Sequence, residues 1–381
     1  MFQVLQPGNS DEVLETVLIT GGAGFIGSHL ADELLARGYE IRALDSLVEQ
    51  VHGDGGWPEY LDPDVELVRG DVRDVVAIRR ALEGVDAVVH FAARVGVGQS
   101  MYELAEYADV NTTGTAVLLE ALLDRPVRKL VVASSMSVYG EGAYEDEDGR
   151  RRDSERPREQ LERGAWDLLD EAGRPLCPVP TPETKRPTLA SVYALTKYDQ
   201  ERLCLMFGSA YGVPAVALRF FNTYGTRQAL SNPYTGVLAI FAARLLNGKP
   251  PLVFEDGLQR RDFIAVSDVA RICRLALEND GADGRALNVG TGRGVTVLAV
   301  AAKLAEVLGV EIEPEIAGKF RTGDIRHCFA DVSLSRDLLG FEAEVELEDG
   351  MAAVAAWLEG QVAEDRVESA AAELATRRLT R

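Results

Sequence analysis

Residues 17–45 constrain the fold of this chain more than any other stretch. An apolar run, Val17-Leu18-Ile19-Thr20, passes directly into Gly21-Gly22-Ala23-Gly24-Phe25-Ile26-Gly27, and the next short run ends at Asp45. A glycine-rich turn between a buried strand and a helix presents bare backbone N–H groups at the helix N-terminus, where they can hold an anion such as a pyrophosphate. Gly21 and Gly24 are expected to permit the turn and the close approach, Gly27 to let the helix pack near the strand, and Phe25 and Ile26 to line the same loop. Asp45 lies about 20 residues beyond the loop, where a carboxylate accepts both ribose hydroxyls of an adenosine and repels a 2′-phosphate. The expected cofactor is therefore NAD rather than NADP.

The pattern then repeats. Helices are predicted over Gly24–Gly38, Arg73–Leu82 and Glu103–Asp124, and strands over Glu40–Asp45, Val65–Gly70, Ala87–Phe91 and Lys129–Ala133. Unbroken apolar strands separated by helices predict an α/β fold of the Rossmann type, a doubly wound parallel sheet covered on both faces. Its ligands should lie at the carboxyl ends of the strands. There, Asp71-Val72 can hold an adenine edge, and Phe91-Ala92-Ala93 after His90 lets a cofactor lie flat. Asn111 sits in a polar interruption of the long helical stretch.

A second constellation lies about 170 residues downstream of the glycine loop: Tyr193 and Lys197, four apart and so on one helix face. That spacing sets a phenol beside an ammonium, which favours the ionised phenol.

Composition excludes several classes. With 40 Lys+Arg against 61 Asp+Glu, the net charge of −21 argues against a nucleic-acid partner. No apolar run approaches the roughly 18 residues that cross a bilayer, and Met1–Glu15 has no signal-peptide pattern, so a soluble, cytoplasmic protein with no membrane partner is expected. Cys177, Cys204, Cys273 and Cys328, like His29, His52, His90 and His327, are scattered; no metal is expected.

TGGAGFIG, Asp45, GDV, HFAA, the Asn111 segment, SSMSVYG, YALTK, LRFFNTYG, RRDFI and RTGD, in this order over roughly residues 15–360, resemble an extended short-chain dehydrogenase/reductase of the nucleotide-sugar epimerase/dehydratase group. The resemblance implies Tyr193 as catalytic base, Lys197 as the nicotinamide-ribose ligand that lowers the Tyr193 pKa, and Ser135 as the partner of the reacting sugar hydroxyl. It places Asn111 and Phe220 with the cofactor. Ser137, Asn222, Arg261, Arg321 and Asp324 fall to a nucleotide-diphosphate sugar, the two arginines as phosphate clamps. Dehydratases of the group usually carry an Asp-Glu pair after the serine, and its decarboxylases carry the Glu; here Met136 and Ser137 stand there, and neither ionises at neutral pH. The implied reaction is 4-epimerization by transient oxidation of the sugar 4-hydroxyl with tightly bound NAD. The alternatives are a dehydratase, a decarboxylase or a 4-ketoreductase. Cys328 matches a position that limits sugar size in such enzymes.

The expected organisation is an NAD-binding domain over 13–220, a mainly substrate-binding lobe over 221–360 with parts returning to it, and a helical or frayed tail over 361–381. Between Tyr139 and Tyr193 the chain exceeds the group's usual length, and this insert, 141–190, is expected to fold over the sugar. With GVGQSMYE and SSMSVYGEG it resembles a bacterial subgroup assigned as dTDP-L-rhamnose 4-epimerases; a UDP-hexose is the other candidate substrate. The group's habit implies a homodimer through the helices after Glu103 and Tyr193, with Val117, Leu118, Leu122, Leu203 and Met206 as candidate contacts.

Overall fold

The computed structural model describes residues 15–53, 55–152, 154–234, 236–361 and 365–380. Five strands come first: β1 (Thr16–Thr20), β2 (Glu40–Asp45), β3 (Glu66–Arg69), β4 (Ala87–His90) and β5 (Lys129–Ser135). The insert contributes β6 (Ala143–Glu145), β7 (Arg151–Arg152) and β8 (Cys177–Val179), and the chain returns through β9 (Ala215–Phe220) and β10 (Asn222–Tyr224). With the strand Ala286–Val289, the main sheet reads Ala286–Val289, β9, β5, β4, β1, β2, β3, all pairs parallel. The order reverses between β1 and β4, and that switch point opens the crevice for a ligand.

The apolar runs are unbroken because each face of the sheet is covered. Val17, Ile19, Val89, Val131 and Leu218 pack on one side with the helices Phe25–Leu35 and Val266–Glu278. Leu18, Val88, Leu130 and Val132 pack on the other with Leu118, Leu122, Cys204 and Phe207. Leu118 and Leu122 are thus core residues and are not available to a partner, unlike exposed Met206. A third core, with Tyr224, Phe241, Phe263, Leu304 and Met351, holds the smaller lobe together.

The long helix predicted over Glu103–Asp124 is interrupted by a π turn at Ala108–Thr113, flanked by Leu104–Tyr107 and Gly114–Asp124. β5 runs two residues further than predicted and ends on Ser135. No helix among the described residues is long and apolar enough to cross a membrane.

Candidate active site

The carboxyl ends of the central strands open onto one cavity of about 640 Å³, walled by both the sheet and the smaller lobe. At its sheet end, Gly21 has φ of +72°, and a Cβ there would lie 2.9 Å from the Ala92 nitrogen. A Cβ on Gly27 would collide with the Gly21 carbonyl oxygen. Gly24 instead has an ordinary φ of −73° and serves as the helix N-cap, so its small size and not its backbone freedom is used. The Asp45 carboxylate accepts from the Ala23 nitrogen at 3.1 Å and the Leu47 nitrogen at 2.9 Å, which fixes it beside the loop. Asp71 accepts from the Arg73 backbone and guanidinium, and that pairing holds its pKa below the usual carboxylate range.

Further in, Ser135 Oγ accepts from the Ser137 nitrogen at 3.1 Å, capping a 3-10 turn over Met136–Tyr139. Tyr193 and Lys197 lie one turn apart on the helix Val192–Tyr211, whose cap is Ser191. Lys197 Nζ donates to Gln200 Oε1 at 2.6 Å. The Gln200 amide nitrogen donates to Thr115 Oγ1 at 3.0 Å and lies 3.1 Å from His90 Nε2, while His90 Nδ1 is 2.7 Å from Thr20 Oγ1. This buried polar chain ties the Lys197 side chain to the ends of β1 and β4. Burial brings Lys197 down to about 7 and, with Lys197 nearby, His90 down to about 3.

Burial also pushes the Tyr193 phenol up, and the Ser135 hydroxyl pulls it back. The expected lowering by Lys197 is not supplied by the protein alone: the Lys197 ammonium turns to Gln200, and burial disfavours its charged form. A cationic ring brought against Tyr193 would act in the required direction.

On the lobe side, Asn222 opens β10, and its buried Oδ1 has no hydrogen-bond partner among the described residues; the same holds for Gln259 Oε1. Both line the cavity. Orphaned acceptors of this kind are costly unless a ligand donates to them. Arg321 donates to Asp324 at 2.9 Å and stacks 4.4 Å from the Phe254 ring centroid. Arg261 is less free than a phosphate clamp should be: its guanidinium donates to the carbonyls of Arg260, Arg326 and Ile325.

Of the residues singled out from the sequence, Gly21, Gly24, Phe25, Ile26, Gly27, Asp45, Asp71, Val72, Phe91, Ala92, Ala93, Ser135, Ser137, Tyr193, Lys197, Phe220, Asn222, Arg261, Arg321 and Asp324 all line this cavity. Asn111 does not. Its amide accepts from the Arg94 nitrogen at 2.6 Å and donates to the Arg94 carbonyl and to Thr196 Oγ1, so it braces the loop after β4 against the Tyr193 helix. Cys328 also lies away from the cavity, 3.8 Å from Thr181 Oγ1 in the junction with the insert.

The insert does not fold over the cavity; none of its described residues lines it. β6, β7 and β8 form a small sheet, and insert residues outside its strands hold the Arg321–Cys328 segment, with the Glu141 carboxylate accepting from the Arg326 and His327 nitrogens. Arg156 pairs with Glu141 at 3.0 Å and Glu255 at 2.6 Å and donates to the Asp324 carbonyl. Arg326 pairs with Asp167, Glu255 and Asp256. The wall that was missed is the C-terminal helix Val367–Thr376, which lines the cavity with Val367, Ala370, Ala371 and Leu374. Their i, i+3, i+4, i+7 spacing is an amphipathic-helix signal already present in the sequence.

This geometry defines a Rossmann-type dinucleotide-binding protein with a Ser/Tyr/Lys cluster at the switch point of its sheet. A family model described as "NAD dependent epimerase/dehydratase family" matches residues 17–160 and 174–290. The chain is 35% identical over 348 residues to a dTDP-L-rhamnose 4-epimerase of Burkholderia thailandensis, covering 90% of this chain and 94% of that one. A UDP-glucose 4-epimerase of Thermotoga maritima solved with UDP-glucose superposes with a TM-score of 0.75 at 32% identity, over 90% of this chain and 98% of that one. The Thermus thermophilus UDP-glucose 4-epimerase, solved with NAD, gives 0.71 at 32% identity, over 91% and 100%. The chain belongs to the NAD-dependent epimerase/dehydratase family, and NAD is its cofactor.

Proposed function

We propose that the protein is a nucleotide-diphosphate-sugar 4-epimerase with Ser135, Tyr193 and Lys197 as its catalytic residues. The observation that carries this reading is the wall around Tyr193. Met136 and Ser137 face the cavity where an eliminating enzyme needs an acid, and the lining carboxylates are otherwise engaged: Asp45 and Asp71 at the glycine-loop end, Glu106 near Arg73, Asp324 with Arg321. Without a second proton shuttle, the remaining chemistry is reversible oxidation at one carbon.

Bound along the glycine loop, NAD supplies a reversible two-electron acceptor. The residues fit it: the Gly21 and Gly27 positions leave no room for a Cβ, and Asp45 stands where ribose hydroxyls would donate. Tyr193 removes the proton from the sugar 4-hydroxyl and later returns one, Ser135 holds that oxygen, and Lys197 stays oriented by Gln200. Arg321, oriented by Asp324, and the Asn222 amide nitrogen take the nucleotide diphosphate, with Arg261 adding its cationic field more than free donors, and the Asn222 Oδ1 is left to accept from a substrate O–H or N–H. A grip limited to the diphosphate leaves the 4-keto sugar free to turn before it is reduced from its other face. dTDP-L-rhamnose and UDP-hexoses are the candidate substrates.

Exposed Leu195 and Met206 on the Tyr193 helix, with Leu104 and Leu123 on the neighbouring helical stretch, support a homodimer through these elements. The acidic surface and free cysteines suit a cytoplasmic enzyme. The test is NMR of purified protein with these nucleotide sugars in deuterated water and no added cofactor. A 4-epimer without solvent deuterium is expected. Deuterium at the 5- or 6-carbon, loss of carbon dioxide, or a stoichiometric need for NAD overturns the reading.

A further inference from the structure

We propose that the C-terminal helix Val367–Thr376 is the specificity-determining wall of the substrate end of the cavity, with Ala371 and Leu374 setting which sugar is accepted. The inference rests on the nucleotide-sugar reading above. Within the lining, this helix is remote in sequence from the sheet, and it presents only aliphatic side chains to the cavity. Ala370 and Leu374 are buried, although they lie near the end of the chain.

The placement is specific. The Leu374 δ-carbons come within 3.4 Å of where a Cβ on Gly98 would stand, in the turn that follows the β4 end. Two residues back, a Cβ on Gly96 would stand 2.9 Å from the Tyr234 Cβ and 3.2 Å from the Tyr107 hydroxyl, and the charge of the Tyr193 phenol raises the Tyr107 pKa after burial and against Arg94. The helix therefore stands within a few side chains of the proposed base. It is latched there on two sides. Glu373 accepts from the Tyr102 hydroxyl at 3.1 Å and the Tyr234 hydroxyl at 3.3 Å, and the Arg377 guanidinium lies 4.2 Å from the Tyr102 ring centroid. Beyond the helix, the Thr322 nitrogen donates to the Leu379 carbonyl at 2.9 Å, and Arg321 bridges to Thr380. The tail thus bonds directly to the segment carrying Arg321 and Asp324.

An aliphatic wall gives no partner to a hydroxymethyl oxygen or a carboxylate, and desolvating such a group against it is unfavourable. It accepts a methyl group or a ring C–H face. The wall consequently favours a 6-deoxy sugar over a hexose with a 6-hydroxyl, and both over a uronate.

The test compares the NAD-loaded wild type with Ala371→Phe and Leu374→Asn, using dTDP-L-rhamnose and UDP-glucose as probes. Ala371→Phe is expected to raise KM for both sugars by about tenfold, with bound NAD unchanged. Leu374→Asn is expected to shift the ratio of kcat/KM for dTDP-L-rhamnose over UDP-glucose about tenfold toward UDP-glucose, a change that a merely structural helix would not produce. Unchanged KM and an unchanged ratio in a variant that folds and retains NAD overturn the proposal. Should the wild type turn over neither sugar, the 4-epimerase reading fails. The wall is then judged by calorimetric Kd for the same probes, where tenfold weakening by Ala371→Phe supports it and an unchanged Kd overturns it.

Discussion

The insert, 141–190, and the C-terminal segment, helix Val367–Thr376 with Leu379 and Thr380 after it, meet the same Arg321–Asp324 segment in opposite ways. The insert lies behind it and holds it with buried charge. Arg326, fully buried, meets Asp167, Glu255 and Asp256, and Arg156 meets Glu141 and the same Glu255. The helix lies on the cavity side and lines the cavity with aliphatic side chains, using Glu373 as a latch, while Leu379 and Thr380 just beyond it pair with Thr322 and Arg321. A charged, proline-rich loop cannot offer a dry surface to a ligand, whereas its ion pairs can fix one backbone segment rigidly. An Ala/Leu stripe has the reverse capacities.

The contrast predicts where each change will be felt. The largest effect belongs to the buried network at the insert junction: Arg326→Met leaves Asp256 without its cation and Glu255 with Arg156 alone, and should cost about 3–5 kcal/mol in urea unfolding. A loss below about 1 kcal/mol would show that the ion network is not what anchors the insert. Next, Arg156→Met and Arg326→Met share Glu255, so the double variant should depart from additivity by about 0.5–3 kcal/mol, whereas simple summation would mean two independent anchors.

Acid should loosen the insert junction before it loosens the helix. Burial, with Arg326, Arg261, Arg260 and Arg156 around it, brings His327 down to about 3. The unfolded chain binds that proton near pH 6.5, so the native state holds fewer protons across this window and stability falls as pH drops through it. His90 adds to the same slope from the sheet side. His327→Asn should flatten the slope without abolishing it; an unchanged pH dependence of the midpoint would remove His327 from the account. The smallest global effect is expected for Leu374→Ala. Ala370 and Leu374 belong to none of the three main hydrophobic clusters among the described residues, so the helix can open locally: global unfolding should change by less than about 1 kcal/mol while amide exchange in Val367–Thr376 accelerates. Global loss of a full core leucine's worth, about 2–5 kcal/mol, would place the helix in the main cooperative unit.

Much of the sheet and of the cofactor end was legible because it is locally encoded. The glycine loop, Asp45 and the strand-end motifs are tied to turns and helix starts within a few residues of themselves, and all reach the cavity. Asn111 was visible as an irregularity, but its partners, Arg94 and Thr196, come from two other elements, and only packing shows that its amide is used inside the protein. Arg261 was legible as a cation, yet its engagement by carbonyls beyond its own neighbour depends on the packed Ile325–Arg326 segment. Gln200, which orients Lys197, carried no motif.

By itself, then, the sequence determined the parallel α/β fold, the NAD-type loop and the residues around Tyr193, because short-range periodicity and turn chemistry specify them. The tertiary structure decided which distant segment closes the cavity. The insert adjoins Ser135 and Tyr193 in sequence and turns away, while a helix about 170 residues beyond Tyr193 packs against Gly98 and Tyr234. Proximity along the chain does not set proximity in space once buried ion pairs can anchor one segment and an apolar face must find cover for the other.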